Sequence, residues 1–203
     1  MPAARPRLTR DRVLGAAVAL ADREGAEALT VRRLADDLGV HPTSLYNHVP
    51  SKVAILDGVV ERMFSELPAP DPQHGWQDWV REFALAFRDL ARAHPGAFMV
   101  LSRRPAENDA AYDMTERGID AFARGGFSTL QAVLAVRAVS LAVLGLALNE
   151  CPPMGEWVAP AAADSAWLER PRLREIVEQD LGNGDAHWGV LVEALVLGLQ
   201  PGG

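Results

Sequence analysis

The sequence predicts an all-α protein, with a short amino-terminal three-helix unit followed by a longer helical domain. Three observations carry this. Apolar residues recur at i, i+3, i+4 and i+7 along most of the chain, cap and breaker residues bracket those stretches, and no strand-like alternation bounded by hairpin turns stands out. With 203 residues, 49% of them hydrophobic, the chain can build one or two cores and is too apolar to be disordered.

Val13, Ala16, Ala17, Leu20 and Ala21 form the stripe of the first helix, with Thr9 as N-cap and Gly25 as its stop. Thr30 caps a short second helix carrying Leu34, Ala35 and Leu38, and Gly39 supplies the positive φ that ends it. Pro42 suits the first position of a third helix, where its missing N–H is not needed. That helix is expected to run to about Val49, because Pro50 disfavours α geometry in the residue before it. Ser51 caps a fourth helix with Ile55, Leu56, Val59, Val60 and Met63 on one face, until Pro68, Pro70 and Pro72 break the chain. The boundary between residues 1–67 and a second domain, 73–203, is placed in this proline segment.

Beyond it, helices are expected over 76–93, 94–101, 107–124, 128–149, 173–181 and 187–199, with a long loop from Cys151 to Pro171. The run Leu130–Leu148 is long enough to span a bilayer. Gln131, Arg137 and Ser140 interrupt it, however, and Arg137 near mid-membrane would cost roughly 2.5–3.5 kcal/mol, so it reads as a buried helix with no membrane partner. This run and 189–199 are apolar nearly all round, more than one packed face requires, which points to a second subunit and a homodimer.

Net charge is −7 but uneven: +2 through residue 52 and −9 beyond it. Indiscriminate coating of nucleic acid is thereby disfavoured, and the two parts are expected to meet different partners. One cysteine, Cys151, cannot form an internal disulfide, and no secretory signal pattern opens the chain, so the expected compartment is cytoplasmic.

The second and third helices, joined by a tight glycine turn, have the form of a helix-turn-helix that lays one helix in the major groove. Leu45 can face inward while Thr43, Ser44, Tyr46, Asn47 and His48 leave a hydrogen-bonding exterior without an acidic residue. Arg5, Arg7, Arg10, Arg12, Arg32, Arg33 and Lys52, the one lysine of the chain, surround it within reach of a phosphate backbone. His41 reads as an ordinary solvent-facing residue. Acidic pairs such as Asp36-Asp37 lack metal-site spacing with histidine, and Cys151 with His187 does not read as a nucleophile and base.

The run Leu29-Thr30-Val31-Arg32-Arg33-Leu34-Ala35-Asp36-Asp37-Leu38-Gly39-Val40, followed by Thr43-Ser44-Leu45-Tyr46-Asn47-His48-Val49 and Lys52, resembles the DNA-binding domain of the TetR family of transcriptional regulators. Trp76-Gln77-Asp78, Arg103-Arg104-Pro105, Tyr112-Asp113, Gly126-Phe127-Ser128 and Leu144-Gly145 are similar to the regulatory domain of the tetracycline repressors within that family. The resemblance implies a homodimer that reads a palindromic operator in double-stranded DNA, and a carboxy-terminal domain that binds a small molecule, dimerises and releases the DNA. By position it implies base contacts from Arg32, Pro42, Thr43 and Ser44, and phosphate or positioning contacts from Tyr46, His48 and Lys52. Asn47 stands where the tetracycline repressors carry an aromatic residue, which leaves the operator sequence open.

Where those repressors hold a drug–magnesium chelate with histidine, glutamate and amide groups, this chain has Val100, Leu141, Phe83 and Pro68. Apolar side chains offer a hard cation no ligand, so a metal-free, more apolar effector with no cofactor is expected. The matching wall residues are Phe83, Phe87, Val100, Arg104, Pro105, Met114 and Leu141, with Trp79 and Trp157 as possible neighbours; Arg104 would attract an anionic or carbonyl-bearing effector. The resemblance favours a repressor and no enzyme. An activator of the same fold, an all-α enzyme and a helical binding module without DNA are the alternatives, separated by reporter assays, turnover and salt-dependent DNA affinity respectively.

Overall fold

The computed structural model describes residues 7–151, 169–171 and 184–201, and every described regular element is helical. The elements are α1 (Arg10–Glu24), a single 3-10 turn (Ala26–Ala28), α2 (Val31–Leu38), α3 (Pro42–Tyr46), α4 (Lys52–Ser65), α5 (Trp76–Ala93), α6 (Pro95–Leu101), α7 (Asp109–Arg124), α8 (Thr129–Leu148) and α9 (Gly184–Gly198). The expected helix 173–181 and Trp157 lie outside the described residues.

Local chemistry sets most helix starts. The side chains of Thr9, Thr30 and Ser51 accept the backbone N–H of Arg12, Arg33 and Ala54 at 3.2, 3.2 and 3.0 Å. Ser128 and Gln131 form a reciprocal capping box at α8. Gly39 ends α2 in the left-handed region at φ 65°, where a Cβ would be strained.

Three starts or stops differ from expectation; one is that α9 begins at Gly184 rather than His187. The third helix ends at Tyr46 rather than near Val49. His48 and Val49 still donate to the Leu45 carbonyl, at 2.9 Å each, in a closing turn that lets Val49 leave α geometry ahead of Pro50. α7 begins at Asp109 rather than Glu107, because Asn108 Oδ1 accepts from Ala111 N at 3.0 Å and so acts as its cap.

The chain divides into two compact units, Met1–Ala69 with Leu90–Met114, and Pro70–Asp89 with Thr115–Gly203. In the first, α6 packs on α1 and α4, α1 on α2, and α2 on α3. Val13, Ala17 and Leu20 of α1, Leu34 of α2, Leu45 of α3, Val59 and Met63 of α4, and Phe98 of α6 are buried together as its core. α6 comes very close to α1: a Cβ on Gly96 would stand 1.9 Å from the Ala21 carbonyl oxygen.

In the second unit Trp76, Trp79, Phe83 and Phe87 of α5 are buried with Phe122 of α7 and Phe127. Arg88, only 5% exposed, donates from Nε to Glu150 Oε1 at 2.7 Å and lies 5.1 Å over the Trp188 ring, so one cation joins α5, the end of α8 and α9. α8 is the one described helix long and apolar enough to cross a membrane. Within the single chain one side of it is covered. Ala132, Val136, Val139 and Val143 face the interior, while Leu130, Leu134 and Leu141 are exposed on the opposite side.

Candidate nucleic-acid interface and effector residues

The helix-turn-helix presents the polar face that its sequence predicts. Leu45 is fully buried against the core, and with it inward Thr43, Tyr46 and Asn47 are exposed while Ser44 and His48 are half-buried. Pro42 occupies the first position of α3. No acidic side chain lies between Pro42 and Lys52.

Cations around this face fall into two groups. Arg10 is held by Glu61 through two bonds, at 3.2 and 2.5 Å; Arg33 by Glu24, at 2.9 and 2.5 Å; Arg23 by Asp37, at 2.6 Å. The hydrogen bond that Arg10 donates to Glu61 raises the Arg10 pKa, that from Arg33 to Glu24 raises the Arg33 pKa, and Arg33 in turn lowers the Glu24 pKa. Arg33 and Arg10, expected near phosphate, are thus turned to carboxylates of their own domain. Arg32 and Lys52 are exposed and have no ion pair among the described residues, and Lys52 opens α4 at its dipole-positive end. Arg5 lies outside the described residues.

His41 carries a role that the sequence reading missed. Its Nδ1 accepts from the Thr43 hydroxyl at 2.8 Å and faces Thr43 N at 3.4 Å, capping α3 and fixing the hydroxyl of a candidate base-reading residue. Its place directly before an N1 proline is the signal that would have found it.

The candidate effector residues fall in both compact units. Val100, Arg104, Pro105 and Met114 belong to the first unit, and Phe83, Phe87 and Leu141 to the second. Val100 and Met114 are buried and Pro105 is exposed. Arg104 is not a free cation: Nε and one terminal nitrogen donate to Asp57 Oδ1 of α4 at 2.9 and 2.5 Å. Leu141, 61% exposed, stands on the outer face of α8.

Phe83 and Phe87 lie buried with ring centroids 4.6 Å apart, and Trp79 stacks on Phe83 at 5.0 Å and 9° between planes. The indole Nε1 of Trp79 is buried with no acceptor among the described residues. Among the described residues no group of three or more His, Cys, Asp or Glu is placed to hold a metal ion.

A second missed constellation lies at the start of α6. The two ring nitrogens of His94 face Asp22 Oδ2 of α1 at 2.7 Å and Glu66 Oε2 beyond α4 at 3.1 Å, while Asp22 Oδ1 accepts from Ala97 N at 2.9 Å. No local pattern pairs residues this far apart in sequence.

Residues 13–59 match the family described as bacterial regulatory proteins, tetR family, and residues 68–200 match the tetracyclin repressor-like C-terminal domain. An HTH-type transcriptional regulator of Saccharopolyspora erythraea is 33% identical, over 96% of this chain and 86% of its own length. The class D tetracycline repressor protein of Escherichia coli is 32% identical, over 96% of this chain and 90% of its own. Among solved structures, a TetR variant from Acinetobacter baumannii AYE in complex with minocycline superposes with a TM-score of 0.71 at 26% identity, covering 95% of this chain and 96% of that one.

Proposed function

The chain belongs to the tetR family of bacterial regulatory proteins, and on that premise we propose that it is a cytoplasmic homodimeric repressor, displaced from a palindromic operator by a small-molecule effector. One observation supports the DNA-reading part most directly. In a domain where Arg10, Arg23 and Arg33 are held by carboxylates, Arg32 and Lys52 are left to flank a polar, acid-free helix surface. Cations without internal partners keep their attraction for phosphate, and the hydroxyl, amide and imidazole groups between them suit base edges.

The division of labour is residues 1–67 for DNA and 73–203 for effector binding and dimerisation. Residues 90–114 cluster with the first unit, and α6 there rests on both α1 and α4. An effector that favours one placement of α6, or that takes the Arg104 guanidinium from Asp57, would bias α4 and with it the spacing of two recognition helices. The effector is more apolar than a metal chelate, and Phe83 and Phe87 of the second unit are its aromatic contacts.

Leu141 we assign to the subunit contact with Leu130 and Leu134, because all three crown the outer face of α8. Burying that face against a second copy covers the one described helix long and apolar enough to cross a membrane. Cys151 is buried with Sγ 3.8 Å from the Ala147 carbonyl oxygen, which offers no nucleophile for turnover.

Selection from a random duplex pool at low ionic strength tests the proposal. An enriched inverted repeat, bound by a dimer in sedimentation, is the expected result. Purified protein that is monomeric at micromolar concentration, or that enriches no inverted repeat, overturns it.

A further inference from the structure

A hydroxyl has one proton to give and two lone pairs to receive with, so what Thr43 can ask of a base depends on where that proton already goes. His41 settles the matter. Its Nδ1 faces two groups of Thr43, the backbone N–H at 3.4 Å and the hydroxyl oxygen at 2.8 Å. A backbone amide can only donate, so Nδ1 stands there as a lone pair, the acceptor that caps α3. The hydroxyl oxygen cannot set a lone pair against that nitrogen, and it therefore gives Nδ1 its one proton. Two lone pairs remain on the oxygen, and Thr43 is exposed on the polar face that also carries Tyr46 and Asn47.

We propose that His41 is a positioning residue for base specificity: by taking the Thr43 proton it makes that hydroxyl an acceptor only, which selects an amino base, adenine or cytosine, over a keto base, guanine or thymine, on the operator strand that Thr43 touches. In the major groove adenine N6 and cytosine N4 carry donors, whereas guanine O6 and thymine O4 are acceptors. A hydroxyl free to rotate serves either class by turning its proton, so it discriminates poorly between them. Held by His41, the Thr43 oxygen meets a keto oxygen lone pair against lone pair and leaves both without a hydrogen bond. This rests on the reading of α3 as the helix that meets base edges, and it adds the chemical class of base that one of its residues accepts.

Operator selection with the native protein and with Thr43→Val identifies the base pair whose preference depends on the hydroxyl. Duplexes carrying each of the four bases at that position are then titrated with the full-length protein. The native protein should bind the adenine and cytosine duplexes about threefold to tenfold more tightly than the guanine and thymine duplexes. Exchanging the adenine for purine, which removes the amino group alone, should cost the same factor. His41→Ala should bring the amino-to-keto ratio near one, whatever the lost cap of α3 does to all four duplexes alike. His41→Asn should restore the ratio, because its Oδ1 can accept from both the amide and the hydroxyl of Thr43. In Thr43→Val the ratio should be near one, with no further change on adding His41→Ala.

A native ratio near one or in favour of keto bases, a ratio that survives His41→Ala, a ratio that His41→Asn does not restore, or a Thr43→Val selection that alters no base pair overturns the proposal. An operator enriched without this preference leaves the DNA-binding reading standing, whereas a pool that yields no inverted repeat removes both.

Discussion

The α-carbon of Gly96 stands so close to Ala21 that an added methyl group would lie 1.9 Å from the Ala21 carbonyl oxygen and 2.3 Å from its carbonyl carbon. Backbone, unlike a flexible side chain, cannot fold away. Gly96→Ala should force α6 off α1 and lower stability by about 1–3 kcal/mol, as overpacking does. Urea unfolding checks this, and an unchanged midpoint would remove the proposed tight seating of α6.

Arg32 and Lys52 are expected to fail differently. Arg32→Ala should cost roughly 1–3 kcal/mol at the selected operator and relax preference at the bases it touches. Lys52→Ala should weaken all duplexes alike and reduce the slope of log affinity against log salt by about one. Titrations of operator and scrambled duplex across a salt series separate the two, and equal losses on both duplexes for both variants contradict the division.

The exposed leucines of α8 give a direct test of assembly. Leu134, 55% exposed in the single chain, should become buried in the dimer. Leu134→Glu would place a charge there and should yield monomers at micromolar concentration with helix content retained. Sedimentation and circular dichroism report both quantities; a persistent dimer would place the contact elsewhere.

His74 Nδ1 lies 2.5 Å from Glu82 Oε1, and that hydrogen bond, helped by the charge of Asp71, raises the imidazole pKa above its ordinary value. A raised folded-state pKa means that the folded form binds the proton more tightly. The contribution is therefore complete below about pH 6.5 and is lost as pH rises through the folded-state pKa. His74→Gln should flatten the pH dependence of the urea midpoint in that window while leaving the alkaline values unchanged.

Helix starts were legible because a cap is a local event: Thr9, Thr30, Ser51 and Ser128 each bond a backbone N–H within three residues. The polar face of α3 was legible for the same reason, since Leu45 alone had to turn inward. Partner choice was not. Arg32 and Arg33 are adjacent in sequence, yet one helical step of about 100° turns Arg33 to Glu24 and leaves Arg32 exposed. Arg104 reads as a cation awaiting a ligand until the fold brings Asp57 to it. The exposed side of α8 was likewise hidden in a run apolar on every face, where periodicity carries no direction.

Two prolines bracket α3, the proposed reading helix: Pro42 occupies its first position and Pro50 follows the turn that closes it. Pro42 thus suits its start, and Pro50 bars it from continuing past the closing turn. On the proposed reading, new operator preferences come from exchanging side chains such as Arg32, Thr43 and Ser44 rather than from a longer helix. Variation among regulators built this way should be a matter of vocabulary, with the size of the word held constant.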